Sequence, residues 1–69
     1  MKNNKKEFSL DEAKRLLSLG YLIRQKEVAG HYFQSLVGIC HTTNPYTAWA
    51  VDVTTLPNED VYYIVKVNN

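Results

Sequence analysis

Cysteine occurs once in this chain, at Cys40, so no disulfide can form within it. A lone thiol fits a reducing compartment, and cytoplasmic residence is the expectation. Histidine occurs only at His31 and His41, and no Cys-x-x-Cys or His-Glu-x-x-His spacing is present, so no metal site is expected. The three glycines, Gly20, Gly30 and Gly38, stand apart and build no phosphate-cradling loop. Charge of one sign is also scarce: eight basic and seven acidic residues leave a net +1. A general nucleic-acid binder carries a clear basic excess, which disfavours that class here. No apolar run approaches the ~20 residues of a membrane helix. The Met-Lys-Asn-Asn-Lys-Lys opening lacks the apolar stretch of a secretory signal.

With 69 residues the chain makes one domain. A domain this short buries only about 60% of its unfolded surface and is marginal alone. Small domains gain support from disulfides, metals or association. With the first two disfavoured, a homo-oligomer is the expectation.

What the chain does have is aromatic side chains, eight in all. All but Phe8 fall in segments that read as β-strand. Residues 1–7, with Lys2, Lys5 and Lys6, are expected to form a flexible basic arm, and residues 8–69 a single small α+β domain. Residues 10–19 read as a helix. Ser9 and Glu12 have capping-box spacing, Phe8 can staple onto Ala13, and Asp11 can pair with Arg15. Leu10, Ala13, Leu16 and Leu17 form one apolar stripe, and Gly20 supplies the stop.

Beyond Gly20 the apolar period becomes 2, and four strands are expected: Tyr21–Val28, His31–His41, Tyr46–Val53 and Val61–Val67. The second is apolar at both odd positions (Phe33, Val37, Ile39) and even ones (Tyr32, Leu36, Cys40), which suggests burial on both sides. Thr42-Thr43-Asn44-Pro45 reads as a turn, and residues 54–60 as a polar connection with room for one helical turn. Short connections favour a meander. The expected fold is therefore α-β-β-β-β, one N-terminal helix packed on a four-stranded antiparallel sheet. One helix covers one face, so the other face should keep apolar groups in water.

Catalytic chemistry finds little support. Cys40 and His41 are strand neighbours and point to opposite faces, so they form no dyad. His31 and His41 would lie roughly 33 Å apart along one extended strand. No spacing pairs the carboxylates for acid–base work; Asp52 and Asp60 are the nearest to a candidate pair. Cations and rings are better represented. Arg24 and Lys26 share a strand face, and Tyr32, Tyr46 and Trp49 lie on later strands. A phosphorylated nucleotide needs a cation for phosphate and a ring for its base. A solvated Lys/Arg pair beside core aromatics explains the same residues.

The order of the pieces resembles the Thoeris anti-defence sponges of the second type, a small phage and bacterial family. The matching segments are Asp11-Glu12-Ala13-Lys14-Arg15-Leu16-Leu17 with Gly20, Ile23-Arg24-Gln25-Lys26, and Tyr32-Phe33-Gln34-Ser35-Leu36-Val37-Gly38. Trp49, Leu56, Glu59-Asp60 and Tyr62-Tyr63-Ile64-Val65 follow, so the likeness spans residues 8 to 66. Departures fall at Val28, Asp52, Thr55 and Val61. The resemblance implies a non-enzymatic homo-oligomer, without a cofactor, that sequesters a cyclic ADP-ribose-type nucleotide between subunits. The candidate ligand-binding set is Arg24, Lys26, Tyr32, Trp49 and Asp60. Two other classes stay open: a phage-borne protein–protein inhibitor or adaptor acting on a host defence protein, and a nucleic-acid binder.

Overall fold

The computed structural model describes residues 6–44 and 47–65. Residues 1–5 of the expected arm, Pro45, Tyr46, and Lys66 to Asn69 lie outside the described residues. Helix α1 spans Leu10–Ser18 with Ser9 as its N-cap, and the Ser9 hydroxyl accepts the Glu12 N–H at 3.3 Å. Leu10, Ala13, Leu16 and Leu17 are its buried stripe, as the spacing predicts. Gly20 follows with φ +101°, a left-handed stop that suits a residue without Cβ. Two local expectations change. Arg15 pairs with Glu12 rather than Asp11, and Asp11 instead meets Lys14 at 3.8 Å. Phe8, expected to staple the helix, also bridges Tyr62 through its backbone, with N–H···O distances of 2.6 and 3.1 Å.

The α+β class holds, but the sheet has five strands instead of four. They are β1 Ile23–Gln25, β2 His31–Ser35, β3 Gly38–Asn44, β4 Thr47–Ala50 and β5 Tyr62–Ile64. The expected long strand His31–His41 is in fact a hairpin. Ser35 pairs with Gly38 across a Leu36-Val37 turn, and Gly38 takes φ +122°. The Ser35 hydroxyl locks the turn, accepting the Val37 N–H at 3.2 Å and donating to the Gly38 carbonyl at 3.0 Å. Across such a turn, even-numbered residues of β2 face the same way as odd-numbered residues of β3. Apolar residues at both parities therefore marked a hairpin, not a doubly buried strand.

The order β4-β3-β2-β1-β5 is antiparallel throughout. The first four strands form the expected meander. The last does not continue it; β5 crosses back to pair with β1. On the way, Val53–Thr55 form a short 3₁₀ turn capped by Asp52, whose carboxylate accepts from Thr54 N–H at 3.1 Å. The helical turn thus begins before residue 54.

Ile23, Tyr32 and Tyr62 point to the helix side and join the α1 stripe in the core. Val51 and Leu56 pack against the same cluster, so the returning connection shares that side with α1. On the reverse face Arg24 is exposed and His31, Phe33 and Tyr63 are half-buried, while Cys40 and Thr42 are buried.

Candidate functional site

The reverse face gathers a cation and several rings. Arg24 pairs with Tyr63 across β1 and β5. The Ile23–Tyr32 pairing puts those two side chains under the helix, which turns Arg24 and His31 to the other side. His31 and Phe33 are two positions apart on that side, with ring centroids at 6.4 Å. Arg24 is exposed, and its Nε donates to the Val28 carbonyl at 3.3 Å. A planar cation on the same sheet face as half-buried rings has the side-chain types that recognise an oxyanion and a flat heterocycle.

The anticipated residues are scattered relative to this cluster. Arg24 belongs to it. Lys26 lies past the end of β1, with Nζ 3.5 Å from Glu7. Tyr32 is a core residue at 5% exposure, and its hydroxyl donates to Gln25 Oε1 at 2.9 Å, so within one chain it offers no open stacking surface. Trp49 is half-exposed on β4, on the helix side of the sheet. Asp60 is exposed in the bend before β5. Arg24 and Tyr32 thus lie on opposite faces; Tyr32 and Trp49 share the helix side, one on each side of His41, and the five do not converge on one surface. Tyr46 lies outside the described residues. His31, Phe33 and Tyr63 were missed as site residues. Their only sequence signal was alternation, which does not show that β1, β2 and β5 lie side by side.

His41 is the other unusual group. It is buried between Tyr32 and Trp49, with ring centroids at 4.5 and 5.4 Å. Because the hairpin folds back, it sits opposite Tyr32 rather than far along one strand from His31. His31 and His41 still occupy opposite faces. Burial lowers the His41 pKa below the ordinary imidazole value; a bond to the Ala29 carbonyl opposes this, and nearby His31 adds to it. Its Nε2 is buried without a hydrogen-bond partner. Gly30 makes this packing possible: its φ is +88°, and a Cβ there would stand 2.2 Å from the Thr42 carbonyl and 3.0 Å from the His41 ring.

A small apolar cavity of about 10 Å³ lies between α1 and the 3₁₀ turn, lined by Leu10, Ala13, Leu17, Ile39, Val53 and Leu56, with Lys14 also contributing. Among the described residues no three His, Cys, Asp or Glu groups could hold a metal ion together. None of their helices is long and apolar enough to cross a membrane. Cys40 is a buried free thiol.

Comparisons with family models, curated proteins and solved structures return no match. The functional argument therefore rests on the residues themselves.

Proposed function

We propose that the chain is a non-enzymatic anti-defence protein of phage type that sequesters a cyclic ADP-ribose-type nucleotide where copies meet. The observation that carries the reading is Arg24, exposed on the sheet face away from the helix and paired with Tyr63, on the side to which His31 and Phe33 also turn. The guanidinium supplies phosphate recognition and the rings supply stacking for the base. One face alone leaves half of such a ligand in water, which is why a second copy belongs in the site. The buried reduced thiol of Cys40 fits action in the host cytoplasm.

The test is ligand-dependent stabilisation. A molecule that binds only the folded state raises the thermal midpoint by mass action. Cyclic ADP-ribose should raise it, with linear ADP-ribose and inorganic phosphate as controls. Arg24→Ala should abolish most of the shift and leave the helical circular dichroism intact, because Arg24 is exposed. Lys26→Ala should act less, since that ammonium is already engaged by Glu7. An unchanged shift in Arg24→Ala would reject the site, and no shift in the parent chain would reject the function.

One observation favours the alternative, a small protein–protein inhibitor or adaptor acting on a host defence protein. Leu36 is fully exposed and Val37 nearly so at the β2–β3 turn. Two aliphatic groups on a protruding turn suit insertion into a partner's pocket. This reading expects no nucleotide effect and the loss of a defined partner complex on Leu36→Ser.

A further inference from the structure

The two edges of the sheet are treated differently. At β5 the edge is occupied, because Phe8 exchanges backbone hydrogen bonds with Tyr62. Both ends of the described chain leave from that side, since Lys6 precedes Phe8 and Val65 follows β5. At the other edge, all four residues of β4 are exposed, and no described strand lies beyond it.

The backbone of β4 has a definite sense. The Thr47 carbonyl accepts from Thr42 Oγ1, and the Val51 N–H donates to the Ile39 carbonyl at 2.9 Å. Odd-numbered residues therefore turn their peptide groups toward β3. Ala48 and Ala50 turn theirs outward. Edge strands are usually protected by charge, proline or a covering segment. Thr47-Ala48-Trp49-Ala50-Val51 carries neither charge nor proline.

We propose that β4 pairs antiparallel with β4 of a second copy, centred on Trp49, to make one continuous sheet across a two-fold axis. The strand is close to palindromic about that residue. Ala48 would meet Ala50 of the second copy, and each such pair exchanges N–H···O bonds through the outward peptide groups. Thr47 would meet Val51, two β-branched side chains of similar shape. Asp52 does not fall opposite its own counterpart, so no like charges confront each other. The two Trp49 residues then form a non-hydrogen-bonded cross-strand pair, with Cα atoms about 4.5 Å apart, where aromatic side chains pack best. One side of each indole already rests against His41. Its exposed remainder is what the second copy covers.

The experiment uses the full chain. Light scattering and sedimentation should give twice the chain mass, falling to one chain on dilution. Trp49 is the sole tryptophan, so an indole–indole exciton couplet in circular dichroism requires two copies. It should vanish on the same dilution. Ala50→Pro removes an outward donor and no internal ladder bond, so it should give a folded single chain. Trp49→Lys sets like charges opposite one another and should do the same by a different route. Removing residues 1–5 should leave the dimer unchanged. A single-chain mass at every concentration would overturn the pairing. So would a dimer that survives both substitutions, or one lost with residues 1–5. The outcome is separable from the nucleotide reading: a dimer indifferent to nucleotide keeps the pairing and removes the sponge, and a nucleotide-binding oligomer that survives both β4 substitutions keeps the sponge and removes the pairing.

Discussion

The β5–β1–β2 half of the sheet and the β3–β4 half are built on different physics. In the first, Ile23 and Tyr62 are 0% and 1% exposed under α1, and burial of apolar surface holds the layers together. In the second, β4 is exposed along its whole length. It is attached through its ladder with β3, the Thr42–Thr47 bond and the contact of Trp49 with His41. A short chain with one helix can build a dense core under only part of a five-stranded sheet. The remainder depends on hydrogen bonds and ring contacts, and it is the half where a second copy has most to add.

The largest effects should come from the dense half. Ile23→Ala should cost about 2–5 kcal/mol, because it removes a fully buried side chain from the core and leaves a cavity. Chemical denaturation measures this as a lower midpoint with an unchanged slope. In a domain whose total stability is of order 5 kcal/mol, that loss approaches unfolding. Trp49→Ala, measured at a dilution where the chain is single, should cost far less. If the two substitutions cost the same, the distinction between the halves fails.

Gly30→Ala comes next, and it tests the junction between the halves. The added Cβ meets the Thr42 backbone carbonyl at 2.2 Å, and the residue already sits at φ +88°. Backbone cannot rotate away as a side chain can, so a cost of about 1–3 kcal/mol or more is expected. Gly20→Ala has the same kind of φ, +101°, in open space. It should cost about 1 kcal/mol, from conformation alone. The difference between the two glycines isolates the steric part.

Much of the dense half was legible in the sequence. Capping at Ser9 and Glu12 and the stripe from Leu10 to Leu17 are local signals, and they led to the correct helix. Alternation at Tyr62 and Ile64 likewise survived. The open half was harder, because its organisation depends on one turn. Leu36-Val37 carries no Asn-Gly or Asp-Gly signature, and its determinants, the Ser35 hydroxyl and the φ of Gly38, are visible only in three dimensions. Missing that turn merged two strands and set His31 and His41 far apart. It also hid that His41 shares a face with Tyr32. The return of β5 to β1 was illegible for a further reason: pairing partners so distant in sequence leave no trace in local periodicity.

Acid and base should act on the two halves separately. The His41 imidazole has a lowered pKa in the folded chain, mainly from burial. Its contribution to stability is complete above the ordinary value near 6.5 and is lost as pH falls through that value toward the lowered one. Tyr62, under the helix, is raised to about 12, chiefly by burial with smaller effects from Tyr32 and Glu59. Its contribution is complete below the ordinary phenol value near 10 and is lost as pH rises toward 12. Hydrogen exchange should therefore show β3–β4 amides losing protection first on acidification, and β5–β1 amides first in alkali. His41→Phe keeps a ring between Tyr32 and Trp49 but cannot titrate, so it should flatten the acid limb alone.

The smallest effects lie where the chain touches little. Ser9→Ala removes the acceptor for the Glu12 N–H and should cost about 1 kcal/mol, read as a fraying first turn. Leu36→Ser, on a fully exposed side chain, should change stability by no more than about 0.5 kcal/mol in either direction. The turn keeps its Ser35 hydroxyl and its Gly38 conformation in that variant, so the hairpin has no reason to open. A larger loss from Leu36→Ser would mean that the tip is buried in solution. Among the described residues nothing covers Leu36, so such a loss would point to another copy as the covering surface, and the open half would then associate through its tip as well as its edge.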